Sequence, residues 1–542
     1  MGQDISEGAI VNLTEEGELS TEKGAELWAG FIADAKEASD LEHAYSFKEA
    51  LVLYWRAVFW SIIVSLAIVM CGYDFTVILN IYAQPAFQKY FGHYYPGIGY
   101  QLPAKWQVAI GLSSDVGNFL GILANGYLVP KFGFKKVMYG SFISLIGLIF
   151  ITVFAPNITV LFIGELLCGF PWGQFSIIGP AYASEVCPTS LRAYLNAYVN
   201  LCWVLGDLIG SGVLQGVEGR TDVWAFRIPF AVQWVWPVPL LCIIFFAPES
   251  PWWLVRQGKI EEAVTAVKRL SSKKLEPNAK QTVAMMVHTD KLERELNTHG
   301  SYWDCFSREN IRRTEIACMV YFVCPFSTFV LNSLTYFFEQ AGITDGESFK
   351  LLIGCYAMGV AGTFLSWFLM TVAGRRTIFI YGFGTITIIL FLVGILACVG
   401  QTTGTLWGQA VLILLLNFTF DFSVAPIAFA IGSETSATRL RSKTVALARN
   451  SYYISAIINV VVTPYCLNPT EGNWKGKSGF LAGGLSLLAT LWAFFRLPEF
   501  DNRTYEEIDL LFKNGVSARD FAKTEVDAYA GYGDIEREED AN

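Results

Sequence analysis

Long apolar runs, each about twenty residues, alternate with short polar segments through most of the chain. They fall near 57–79, 107–128, 137–155, 159–179, 195–216, 228–247, 315–338, 350–371, 377–398, 406–431, 445–466 and 479–495. Twenty apolar residues in a helix cross the hydrocarbon core of a bilayer. A membrane β-barrel would instead show alternating stretches of about ten residues, and none is visible. The pattern predicts an all-α polytopic membrane protein with twelve transmembrane helices.

Two polar ends frame these runs. Residues 1–54 and 497–542 are acidic and lack apolar periodicity, which predicts solvated tails. The opening MGQDISEGAI has no basic stretch leading into an apolar core, so no cleaved signal peptide is expected. One long interruption, 248–314, separates six runs (55–247) from six (315–496). Part of it, IEEAVTAVKRL, carries apolar residues at three- and four-residue spacing and predicts short helices. Lys131, Lys135 and Lys136 follow the second run and Arg256, Lys259, Lys268 and Arg269 the sixth. Arg375 and Arg376 follow the eighth, and Arg439, Arg441 and Lys443 the tenth. These loops fall on one side, the alternate ones are poorer in basic residues, and both tails are therefore expected in the cytoplasm.

Composition sharpens the picture. The 542 residues are 53% hydrophobic and only 16% charged, against roughly 25% charged in a soluble domain. The net charge of −9 comes largely from the ends. Most of the eleven cysteines lie inside apolar runs without paired short spacing, so they read as packing residues and not as metal ligands. With four histidines, no phosphate loop and no nucleophile elbow, no enzyme, metal site or cofactor is expected. ATP-driven transport is excluded with them, and no nucleic-acid partner is expected; the lipid bilayer is.

The two groups of six resemble each other. Glu185 and Arg192 after the fourth run have the same seven-residue spacing as Glu434 and Arg441 after the tenth. Gly133-Phe-Lys135-Lys after the second parallels Gly374-Arg375-Arg376-Thr after the eighth. Pro248-Glu249-Ser250 parallels Pro498-Glu499. Duplication about a central break is the mark of a two-bundle transporter whose substrate sits at the midplane between the halves. Charged residues at helix ends on one face could bridge the bundles in one state and release them in the other.

These elements resemble the sugar porter family of the major facilitator superfamily over roughly residues 50–510. Pro248-Glu249-Ser250-Pro251-Trp252-Trp253-Leu254 matches the family's P-E-S-P-R-W-L, and Thr504-Tyr505-Glu506-Glu507-Ile508-Asp509 follows Pro498-Glu499 as its L-E-E-I-D does. Within the family, Cys168–Gly173, Ser333–Gly342 and Leu447–Tyr452 look like fungal maltose and general α-glucoside permeases. The resemblance implies two six-helix bundles and import of a maltose-like α-glucoside, with proton symport, at the plasma membrane.

An ionisable residue within a span is expensive and functional by default. The resemblance places the protonation site at Asp74. It puts Glu165 where many hexose porters carry an arginine, so that this acid either meets another cation or is itself protonated. Asn200 and Asp207 fall on two family glutamines that bind sugar hydroxyls, and Asp115 and Asp421 add further acids. The paired glutamines of the seventh span are replaced by Phe326 and Ser327, while Asn332 and Tyr336 remain. Pro426 and Phe429 match the family's proline and its stacking aromatic. Loss of the glutamine pair suits a larger glycoside. Cys71 and Asn118 stand where the α-glucoside permeases often carry acids, and Pro130 and Phe134 where the family has an aspartate and an arginine. A symporter using Asp74 with Glu165, a proton-independent facilitator and a sugar sensor built on the same fold all remain open at this level.

Overall fold

The computed structural model describes residues 45–524 apart from 96–98, 276–277, 297–300, 330–333, 335–344, 400–401, 437–439, 468–473, 501–502 and 504. Among the described residues, eleven helices are long and apolar enough to cross a membrane. They are Trp55–Asn80, Lys105–Phe132, Phe134–Val153, Ile158–Val186, Ser190–Val217, Trp224–Ile244, Glu347–Val372, Arg375–Val399, Thr403–Glu434, Lys443–Thr463 and Lys475–Arg496. These are spans one to six and eight to twelve. Ile311–Phe322 begins the seventh; residues 330–333 and 335–344, which follow it in the chain, are outside the described set. The arrangement is the twelve-helix fold expected from the runs.

The outer surface carries large exposed apolar side chains, among them Phe368, Tyr381, Ile143 and Leu488. Facing them with lipid costs nothing, and helices are the elements that satisfy their backbone groups internally as a bilayer requires. Within the first half, spans one and five touch backbone to backbone. A Cβ on Gly206 would collide with the Val69 carbonyl, and one on Gly72 with that of Trp203, so this contact exists only because both positions are glycine. Between halves, span five packs on span eight and span two on span eleven.

The helices outrun the apolar runs at several ends. Span four continues from residue 179 to Val186 and span two to Phe132, because helices extend past the hydrocarbon with polar residues that a hydropathy reading discards. The segment after span one, read as a loop, holds a short helix, Pro85–Phe91, and a two-stranded hairpin pairing His93–Tyr95 with Gly99–Gln101. Three-residue strands leave no period to detect.

The interruption between the halves folds into helices Pro251–Arg256, Ile260–Leu270 and Ala279–Leu296 around a small core that includes Leu254, Val264, Val267, Val283 and Val287. Ile260–Leu270 buries Ile260, Ala263, Val264, Val267 and Leu270, one face of a helix. Its first turn carries Glu261 and Glu262 and its last Lys268 and Arg269, each sign complementing the helix dipole. After span twelve, helix Tyr505–Lys513 brings Asp509 into an ion pair with Arg313 at the start of span seven.

Candidate functional site

A cavity open to solvent lies between the two halves. Span one contributes Phe75 and Asn80; span five Asn200, Trp203 and Asp207; span seven Tyr321 and Thr328; span ten Asn417, Asp421 and Phe429; span eleven Arg449 and Tyr452. The structure thus brings Asn200, Asp207, Asp421 and Phe429 into one wall set. Asn332 and Tyr336 lie outside the described residues.

Asp207 accepts a hydrogen bond from the Thr76 hydroxyl at 2.7 Å. Asp421 accepts one from the Asn200 amide at 3.0 Å, and the same amide donates to Thr363 at 3.2 Å, so a side chain of the first half is tied to two spans of the second. Span ten reaches this point through a π turn at Phe420–Val424. Pro426 has no N–H and crowds the carbonyl four residues back, and a widened turn just before it relieves the ladder and sets Asp421 on the cavity wall. Such turns concentrate at functional sites.

Arg449 was not singled out from the sequence, although an arginine inside the apolar run 445–466 is itself a signal. It is 4% exposed and its guanidinium lies 4.6 Å from the Tyr452 ring, 5.1 Å from Trp203 and 5.2 Å from Phe429. Aromatic faces hold the cation, and its Nε has no hydrogen-bond partner among the described residues.

A second cluster sits within the first half. Asp74 on span one, Asp115 on span two and Glu165 on span four are 1%, 3% and 0% exposed, and Asp74 lies within electrostatic range of both others. The Gln233 amide of span six donates to Asp74 Oδ1 at 2.7 Å. Asp74 Oδ2 and both Glu165 oxygens have no partner among the described residues, and no described ion pair reaches Glu165. Of the two alternatives for this acid, the one with a facing cation has no support in the structure. Three carboxylates together would add mutual repulsion to the cost of desolvation, which a bound proton removes. Of the residues in the places of the absent acids, Cys71 bonds across to the Trp172 carbonyl of span four at 3.7 Å, and Asn118 bonds within its own helix to the Ser114 carbonyl at 3.0 Å.

On the face carrying the interrupting helices, the duplicated motifs make duplicated contacts. Glu249 accepts from the backbone N–H of Phe134 at 3.1 Å and of Lys135 at 3.2 Å, and Lys135 Nζ donates to the Phe245 carbonyl at 2.6 Å. Glu499 accepts from the N–H of Arg376 at 3.4 Å, and the Arg376 guanidinium donates to the Phe494 carbonyl at 2.8 Å. Each glutamate caps a helix start, where the dipole favours an anion. Burial pushes the Glu249 carboxyl above its ordinary range, offset by the backbone N–H groups of Ser250, Lys135 and Phe134. Gly374 stands against Glu499 as Gly133 does against Glu249.

Glu185 accepts from the Ser250 hydroxyl and pairs with Arg256 at 3.2 Å, while Arg192 donates to the Cys187 carbonyl at 3.0 Å. Glu434 pairs with Arg375 at 3.5 Å and is also within electrostatic range of Arg192 across the halves. Asn196 donates to Ser433 at 2.8 Å across the same line. Arg441 opens its helix, and its side chain is outside the described residues. Gly133 has φ +86°, and an added Cβ would lie 2.5 Å from Glu249. Gly133→Ala is therefore expected to cost on the order of 1–3 kcal/mol. A lower melting temperature of the detergent-purified protein, against a surface alanine control, checks this.

A family model described as "Sugar (and other) transporter" matches residues 60–512. The chain belongs to that family. Maltose permease MAL31 of Saccharomyces cerevisiae is 37% identical to the transporter, over 92% of this chain and 82% of its own. The alpha-glucosides permease MPH3 of that yeast is 38% identical over 92% and 84%, and its general alpha-glucoside permease 36% identical over 92% and 82%. Among solved structures, the proton:xylose symporter XylE bound to 6-bromo-6-deoxy-D-glucose superposes with a TM-score of 0.71 at 19% identity, covering 84% of this chain and 98% of that one. This fixes the fold as that of the major facilitator superfamily. The transporter is a multi-pass membrane protein whose relatives are permeases, not enzymes.

Proposed function

We propose that the transporter imports a maltose-like α-glucoside with a proton across the plasma membrane, both termini in the cytoplasm. The observation that carries the proton is the cluster of Asp74, Asp115 and Glu165, buried together without a basic partner among the described residues. Asn200, Asp207 and Asp421 offer hydrogen-bonding groups to sugar hydroxyls, and Phe429 with its aromatic neighbours offers a face to a pyranose ring. The α-glucoside permeases among the relatives support the substrate class. Asn196 with Ser433 and Arg192 with Glu434 link the halves on the face of the interrupting helices and hold it closed until they rock apart, while Glu249, Glu499 and the pairs Glu185–Arg256 and Glu434–Arg375 brace each half from within.

The test is uptake of radiolabelled maltose by yeast lacking its own maltose permeases, with and without a protonophore. Uptake that collapses with the protonophore supports symport. Uptake that ignores it makes the transporter a facilitator, and no uptake of any α-glucoside despite surface expression makes it a sensor.

A further inference from the structure

Span six tightens midway along its length. Its two helices, Trp224–Val232 and Pro237–Ile244, are joined by a tight 3₁₀ turn over Gln233–Val235, with Pro229 before it and Pro237 and Pro239 after it. A stretch of 3₁₀ inside a helix often marks a functional hinge or a sequence under strain. The first residue of that turn is Gln233. It is 2% exposed, and its amide nitrogen is what meets Asp74. Its amide oxygen has no hydrogen-bond partner among the described residues.

A primary amide carries donors on one atom and an acceptor on the other, and the torsion that exchanges them is soft and roughly two-fold. As placed, Gln233 donates to Asp74 Oδ1, the direction that suits a carboxylate. Turned by half a revolution, the same side chain accepts from the O–H of an Asp74 carboxylic acid. The other groups facing Asp74 are Ser114 and Asp115 on span two, Glu165 and Cys168 on span four, Cys71 and Tyr73 on its own helix and Tyr82 beyond it. None of them is a cation; the Ser114 hydroxyl can share the hydrogen bonding of Asp74, but Gln233 makes the 2.7 Å contact. We infer that Gln233 is a positioning residue for the proton-binding step, holding Asp74 in place in both of its protonation states. The proton binds an Asp74 oxygen when the site faces outward and leaves it, restoring the carboxylate, when the site faces inward. Gln233 exchanges donor for acceptor at each change. The inference rests on the reading of Asp74 as the proton carrier.

The test compares parent, Q233L and D74N in reconstituted vesicles by two measurements. One is exchange of labelled for unlabelled maltose at equal concentration on both sides, which needs no proton release. The other is maltose accumulation driven by an imposed pH gradient. For Q233L, exchange is expected within about threefold of the parent, with accumulation at least tenfold lower, since Asp74 loses the Gln233 amide in both protonation states and the step between them is no longer supported. Loss of both by a protein that reconstitutes normally would make Gln233 a packing contact between spans one and six. Retention of both would make the hydrogen bond idle. Either result overturns the inference. D74N separates the two claims: accumulation that survives in D74N removes the Asp74 reading itself, whereas loss in D74N with a normal Q233L removes only the role of Gln233. Should Q233L fail to assemble, Q233M keeps the length of the side chain without the amide and is read the same way. Failure of both to assemble would assign Gln233 to folding and also overturn the inference.

Discussion

Asp74→Asn is expected to take steady-state sugar accumulation from about 50-fold to near unity, with maltose exchange still measurable. One proton moving through 100 mV supplies about 2.3 kcal/mol, and 1.4 kcal/mol is a factor of ten, which sets the first figure. An asparagine keeps the shape and can still hydrogen-bond Gln233, but it binds no proton, so the sugar site can turn over without drawing on the gradient. The effect is expected to be severe in this chain because Cys71 and Asn118 occupy positions that could have held other acids, leaving Asp115 and Glu165 as the near neighbours. The ratio of a non-metabolised α-glucoside inside and outside the cell, followed to steady state, is the measurement. A ratio above tenfold in the variant would show that the proton travels elsewhere. Glu165→Gln in the same assay tests whether that acid shares the proton: an intermediate ratio is expected, since Glu165 has electrostatic contact with Asp74 but no hydrogen bond to it among those described.

Much of this organisation is legible in the sequence because the bilayer imposes length. Twelve apolar runs give the spans, and the repeated Gly133 and Gly374 motifs with Glu249 and Glu499 give the pseudo-symmetry, which the structure renders as two matching helix caps. What stays hidden depends on spatial neighbours. Gln233 is neutral and unremarkable in an aromatic, proline-rich stretch, and its partner Asp74 is 159 residues away. The π turn at Phe420–Val424 has no period of its own. Pro426 marks a disturbance of the ladder but not its direction. Arg449 was visible as a cation in an apolar run, yet only packing shows the aromatic enclosure that holds it. The seven-residue spacing of Glu185 and Arg192 marks one face of the bundle; the fold gives Glu185 to Arg256 and sets Arg192 within electrostatic range of Glu434. Spacing along a chain specifies a face, not a partner.

Asp421→Ala is expected to raise the KM for maltose by roughly 5- to 150-fold, the range that follows from losing a buried hydrogen-bonding group worth about 1–3 kcal/mol. Two consequences of the substitution act in the same direction. The sugar loses a carboxylate that can accept from its hydroxyls, and Asn200, which Asp421 orients at 3.0 Å, is left with Thr363 as its described partner. One consequence acts against them: Asp207 faces Asp421 across the halves within electrostatic range, so removing one acid relieves repulsion in the empty cavity. The loss therefore belongs in binding, not in turnover, and Asp421→Asn, which keeps one acceptor, is expected to lose less. Because Asn200 and Asp421 act through one bond, Asn200→Ala combined with Asp421→Ala is expected to cost less than the sum of the single changes. Initial rates over a range of maltose concentrations for the four proteins give both quantities. Strict additivity would mean that the two residues contact the sugar independently. An unchanged KM in Asp421→Ala would move the binding site away from the π turn and leave Asp207 with span seven as its remaining candidates.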